Sequence, residues 1–178
     1  AYIDENGEET TMIAARLYED KTPLGKAIFV DNEITLTDTF EMADDVALIL
    51  CDGGKLNINI TESGKPGISL YDPVDLQNHY DKDLTIYGQT NQTGELNVTL
   101  NAPDSRRSAI DCGSYNQYGG KVNATANCSV YTFYGSTNAI YAGGYAMHNP
   151  HIIVKGGELN ASSANGYALY SVHGNVYL

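Results

Sequence analysis

Asp104, Arg106, Arg107 and Asp111 put carboxylates and guanidinium groups side by side within one short stretch. A polysaccharide lyase needs both ingredients, carboxylates to hold calcium and a basic group to abstract a proton. A solvated loop with a local ion pair has the same composition. That is the expected role here, so no catalytic residue is assigned and the chain is not expected to be an enzyme. Asp72, Asp75, Asp81 and Asp83 could offer oxygens to calcium, yet they lack the spacing of an EF-hand or a nonapeptide calcium repeat. His148 and His151 would converge on a helix, and Pro150 between them argues against one. Cys51, Cys112 and Cys128 show no C-x-x-C spacing. They are expected to be small buried thiols, with one disulfide open to them in an oxidising compartment. Walker, Rossmann, zincin and nucleophile-elbow patterns are absent, so no metal and no cofactor is expected.

A different chemistry is offered by Tyr71, Asp111, Tyr141 and Tyr170, each of which follows an aliphatic residue in a recurring stretch. Stacked in register, these side chains form an outward ladder, with Asn138, Tyr145 and Tyr167 close by. Flat aromatic faces beside amides and carboxylates suit sugar rings, whose C–H faces stack while their hydroxyls take hydrogen bonds. Tyrosine ladders also stabilise exposed sheet faces without any ligand. Asn57, Asn97, Asn123 and Asn160 make a second column. Stacked asparagine amides hydrogen-bond along the stacking axis by themselves, and that structural role is expected of them. Asn97-Val98-Thr99 and Asn123-Ala124-Thr125 are N-x-T triplets produced by strand alternation, without need of a glycosylation role.

The elements that must position these residues are repeats. The same unit of glycine, charge, aliphatic, asparagine, aliphatic stands at Gly54–Ile58, Gly94–Val98, Gly120–Ala124 and Gly157–Ala161. A second echo follows each copy, at Gly67–Tyr71, Ser108–Asp111, Asn138–Tyr141 and Gly166–Tyr170. Period-2 alternation, as in Leu56, Ile58 and Ile60 against Asn57 and Asn59, marks half-buried strands. Further strands are expected at Ala27–Val30, Glu33–Thr37, Val46–Leu50, Asp83–Tyr87, His151–Val154 and Val176–Leu178.

Stacking the copies predicts an all-β chain: a single-stranded right-handed parallel β-helix, or β-solenoid, of about four to five rungs. In the third rung the first strand is missing or shrunk into Ser114–Tyr118. The inward column is expected to be Leu56, Leu96, Val122 and Leu159 beside Leu70, Ile110, Ile140 and Leu169. A β-sandwich or jelly roll is the alternative, although it does not call for matching motifs in register. Residues 1–25 are expected to be an N-terminal capping segment and 26–178 the β-helix. Within the cap, Thr11–Glu19 reads either as a strand with Ile13, Ala15 and Leu17 inward or as a short helix over the open end. The strand-like Val176-Tyr177-Leu178 stops mid-rung, so the chain reads as truncated at its C-terminus or covered there by a partner.

Composition sets the outer limits. The 178 residues suffice for one domain with its own core, and 18 glycines and 14 tyrosines without tryptophan fit a turn-dense β protein. A net charge of −12 repels phosphate backbones and anionic headgroups, so nucleic acid and membrane-surface partners are disfavoured. No apolar stretch is long enough to insert into a bilayer.

Tyr2-Ile3-Asp4-Glu5-Asn6-Gly7, Asp45–Leu50, Leu84–Gly88 and the Gly-Gly-Glu-Leu-Asn copy at Gly156–Asn160 carry a resemblance. The chain resembles the right-handed parallel β-helix repeat regions of gut-bacterial surface proteins, which look like the pectate-lyase superfold and usually carry no recognised catalytic residues. The resemblance implies a non-enzymatic bacterial module, secreted or at the cell surface, with adhesion or carbohydrate binding as its role. A glycan or polysaccharide is the expected partner, taken by Tyr71, Asp111, Asn138, Tyr141 and Tyr170, with end-to-end or edge self-association open to the coil. A lyase- or hydrolase-like fragment and a purely structural surface spacer are the alternatives.

Overall fold

The computed structural model describes residues 1–17, 26–42, 44–70, 82–103, 107–128, 138–143, 150–172 and 174–178. Every element among them is a strand. A short antiparallel hairpin, β1 (Tyr2–Ile3) and β2 (Glu9–Thr10), precedes β3 (Ala15–Arg16). The chain then repeats a circuit of three strands. The first circuit is β4 (Ala27–Val30), β5 (Glu33–Leu36) and β6 (Phe40–Met42), and the second is β7 (Val46–Leu50), β8 (Lys55–Ile60) and β9 (Ile68–Leu70). The third is β10 (Leu84–Gly88), β11 (Glu95–Leu100) and β12 (Ile110–Cys112). The fourth is β13 (Tyr115–Gln117), β14 (Lys121–Ala126) and β15 (Ile140–Ala142). The fifth is β16 (Ile152–Val154), β17 (Glu158–Ser163) and β18 (Leu169–Ser171), and β19 (Val176–Tyr177) starts another.

Equivalent strands of successive circuits pair in parallel and build three walls, ordered β3-β4-β7-β10-β13-β16-β19, β5-β8-β11-β14-β17 and β6-β9-β12-β15-β18. This is the expected parallel β-helix, with five complete rungs. A sandwich is excluded because, β1–β2 apart, all strand pairing is parallel and links one rung to the next. The rung formed by β4, β5 and β6 lacks the asparagine unit, carrying Glu33-Ile34-Thr35-Leu36 in its place, and so does not announce itself in the sequence.

The repeated unit explains its own composition once it is set in register. Lys55, Glu95, Lys121 and Glu158 are aligned, as are Leu56, Leu96, Val122 and Leu159 and then the asparagines. The aliphatics face the coil interior, where Leu56, Leu96 and Val122 are completely buried. The glycine sits at the corner before each strand because the rung below leaves no room there. A Cβ at Gly54 would collide with the Val30 carbonyl oxygen, and Gly157 adds a left-handed φ of 78° to a collision with the Gly120 carbonyl.

The interior narrows along the axis. Ile58, Val98, Ala124 and Ala161 succeed one another at one inward position, and Ile60, Leu100, Ala126 and Ser163 at the next. β13 supplies the missing volume with Tyr115 and Gln117, both fully buried and aligned with Leu84 and Ile86. Their polar atoms are paired inside the coil: Tyr115 Oη donates to Gln117 Oε1 at 2.8 Å, and Gln117 Nε2 donates to the Glu158 carbonyl at 3.0 Å. The strand expected to be missing or shrunken at Ser114–Tyr118 is therefore present, disguised by a polar inward residue.

The N-terminal segment does two things. Ala15 and Arg16 extend the edge of β4, and Leu17 is buried behind them. Ile13, expected inward, is instead 100% exposed, because only the two residues of β3 pair. The hairpin does not sit over the open end; it lies against the flank of the first wall, where Tyr2 meets Tyr87 at 4.5 Å between ring centroids and Gln89 Nε2 donates to the Ala1 carbonyl at 2.9 Å. The helix alternative for Thr11–Glu19 finds no support among the described residues.

Leu96→Ala is expected to cost about 2–5 kcal/mol, since it opens a cavity in a column that cannot collapse without disturbing two neighbouring rungs. Asn97→Ala breaks one ladder bond on each side and should cost less, about 1–2 kcal/mol. Urea unfolding of both variants, followed by circular dichroism, reads the difference.

Candidate functional site

The outward column of the third wall runs Glu41, Ser69, Asp111, Tyr141, Tyr170. It holds three of the expected site residues, but Ser69 occupies the place expected of Tyr71. Ile110 pairs with Ile68 and not with Leu70. A shift of two residues leaves every side chain on the same face, so the hydrophobic pattern cannot detect it. Tyr71 and Tyr145 themselves lie outside the described residues.

Asp111 faces away from the coil interior, yet it is only 3% exposed. Burial pushes its carboxyl up to about 7, against the lowering influence of hydrogen bonding to Ser108 and the charge of Arg107. A side chain with so little surface is poorly placed to meet a ligand. Asn138 is also buried, its Oδ1 accepting the backbone N–H of Tyr167 at 3.0 Å. It holds the corner that carries Tyr167 and does not stand on the outer face.

Tyr141, Tyr167 and Tyr170 come together. Tyr141 and Tyr170 rings are 5.8 Å apart and tilted, and Tyr167 stacks on Tyr170 at 5.2 Å with 14° between the planes. Tyr167, which sequence spacing places only as a neighbour, is the most exposed of the three at 58%, and Tyr170 is 36% exposed. Burial, followed by the charge of Asp111, raises the Tyr141 hydroxyl above its ordinary range. The Tyr141 hydroxyl therefore remains a neutral phenolic donor at neutral pH.

A second aromatic column stands on the first wall. Tyr2 packs edge-on against Tyr87, Tyr87 stacks on Tyr118 at 5.6 Å, and the Lys155 ammonium lies 5.9 Å from the Tyr118 centroid. Burial pushes the Tyr87 hydroxyl up to about 12, with Glu5 next in effect. The repeated Tyr-Gly at Tyr87-Gly88 and Tyr118-Gly119 is the sequence signal that would have found this column.

The remaining candidates resolve into structural roles. The asparagines form a continuous ladder: Asn97 Nδ2 donates to Asn57 Oδ1 at 2.9 Å, Asn123 to Asn97 at 2.7 Å and Asn160 to Asn123 at 2.9 Å. At the corner before the first wall, Asp45 Oδ1 accepts the Asp83 N–H at 2.9 Å, Asp83 Oδ1 accepts the Ser114 N–H at 2.8 Å, and Ser114 Oγ accepts the His151 N–H at 3.4 Å. Asp83 thus serves the rung above it, and desolvation raises its carboxyl. The His151 ring meets Asn116 Oδ1 at 3.0 Å. His148, Asp72, Asp75, Asp81, Asp104 and Arg106 lie outside the described residues, and among those described no three His, Cys, Asp or Glu side chains converge as a metal site. No disulfide joins Cys51, Cys112 and Cys128, and burial holds the Cys112 thiol well above its ordinary range.

No protein-family model matches the chain, nor does any curated protein or solved structure.

Because the Asp111 carboxyl is raised in the fold, its contribution is fully present below its unfolded value of about 4 and is lost as pH rises through about 7. Asp111→Asn should remove that component, so that between those two pH values the variant gains on the parent chain. Thermal midpoints measured across that interval check it; parallel curves for the two chains would contradict the burial argument.

Proposed function

We propose that this chain is a non-enzymatic binding module, working outside the cell, that takes glycans on the outer wall at Tyr141, Tyr167 and Tyr170. The observation that carries the reading is the clustering of these rings, stacked and tilted at 5.2 and 5.8 Å, with Tyr167 and Tyr170 reaching solvent. Aromatic faces joined to phenolic donors provide both halves of sugar recognition, apolar stacking and hydrogen bonding. The extracellular placement rests on the resemblance of the strand motifs to bacterial surface β-helices. The lyase-like reading is weaker because Asp111, its one described carboxylate, is buried. A rigid surface spacer is the second reading, favoured by the asparagine wall, whose amides are occupied with one another.

Glycan-array screening of the parent chain and of a Tyr167→Ala/Tyr170→Ala double variant tests the site. Loss of two stacking surfaces is expected to weaken any hit at least about tenfold. Hits that survive both substitutions would place recognition elsewhere, and an array without hits would favour the spacer.

A further inference from the structure

The β1–β2 hairpin is complete in itself and only lightly held by the coil. Its strands pair with each other at Tyr2 and Thr10 and at Ile3 and Glu9, and its turn closes through the Gly7 N–H on the Asp4 carbonyl at 3.1 Å. Asp4 Oδ1 accepts the Asn6 and Glu8 N–H groups, each at 2.9 Å, so the turn keeps its shape without help from the wall. Among the described residues no strand of the coil pairs with the hairpin. What holds it is a few contacts on the outward face: Tyr2 against Tyr87, the Ala1 carbonyl on Gln89 Nε2, and Glu9 Oε2 accepting the Thr90 hydroxyl at 3.1 Å. The column to which Tyr87 belongs is apolar, with Phe29 and Ile49 aligned before it. Ile49 is only 6% exposed although it faces away from the interior. A hairpin that left without a replacement would bare the Tyr87 end of this stripe to water.

The tether adds an independent observation. Residues 11–14 belong to no strand, and Ile13 among them is 100% exposed. Four residues reach about 14 Å. A hairpin carried across to a neighbouring molecule therefore brings two tethers side by side about a twofold axis, and the two Ile13 side chains with them.

We propose that two copies of this chain exchange their β1–β2 hairpins, each hairpin packing on the first wall of the other copy and the two tethers meeting at Ile13. Every contact the hairpin makes is conserved in the exchange, so the cost is that of joining two molecules. A hairpin on a short tether sees its own wall at an effective concentration of millimolar order, and exchange without a new contact would need chains just as concentrated. Burial of two Ile13 side chains is the contact that a single chain lacks.

Sedimentation equilibrium of the full chain from about 10 μM to about 1 mM, a range that reaches that effective concentration, should show dimer forming towards its upper end. In a sample mixing isotope-labelled and unlabelled chains, filtered nuclear Overhauser spectra should connect the Tyr2 ring of one chain with the Tyr87 ring of the other. Ile13→Ser, at an exposed position outside every strand, should leave the fold intact and weaken the dimer at least about tenfold. A monomer across the whole range, a dimer whose Tyr2–Tyr87 contact stays within each chain, or a dimer indifferent to Ile13→Ser would overturn the proposal.

Discussion

Register between neighbouring rungs is the constraint on which everything else depends. A parallel coil gives each strand only the backbone of the rungs on either side, about 4.8 Å away, and a slip of one residue would turn the interior out. The corner glycines let the turns come close enough for the strands to pair. The asparagine ladder distinguishes the correct register from a two-residue slip, which the aliphatic pattern alone would tolerate. Displacing β14 by two places would set Asn123 beside Thr99 in place of Asn97 and Lys121 beside Asn97 in place of Glu95. Polar side chains thus perform on the outside the discrimination that hydrophobic burial cannot perform on the inside.

That division explains the tapering core. Once register is held from outside, the interior has freedom to vary its volume, and it does so from Ile60 to Ser163. The cost appears at β13, where shrinking neighbours leave space for Tyr115 and require a buried amide, Gln117, to satisfy its hydroxyl. Such a pair is tolerated because every polar atom it brings has a partner within the coil or on the adjacent rung.

The wall made of repeated units was readable from the chain alone, since periodic aliphatics, glycine and asparagine each report a distinct local demand. What escaped were the places where one demand was met by an unusual residue. β13 looked absent because Gln117 is polar where an aliphatic was expected. The rung from Ala27 to Met42 carries Thr35 where the others carry asparagine. The repeated leucine-tyrosine aligns Tyr71 with Tyr170 in the sequence, whereas the ladder aligns Ser69 with Asp111 and, through Tyr141, with Tyr170. Of the candidate site, Tyr141 and Tyr170 were placed together correctly. Asp111 is covered although strand parity sets it on the outer face, and Asn138 lies at the corner before β15, off that face.

The two aromatic columns differ in how much of their outer surface the chain itself covers. Tyr87 is held between Tyr2 and Tyr118, and Lys155 covers Tyr118, so the first wall has filled its own aromatic surface with the N-terminal hairpin and a cation. Among the described residues the third wall has no such cover over Tyr167, whose ring is engaged on the side facing Tyr170 and remains largely exposed. One column therefore works as glue for the amino-terminal segment, while the other leaves ring surface open to solvent. The two share a residue type and a stacking geometry and differ only in whether the chain itself occupies the remaining face.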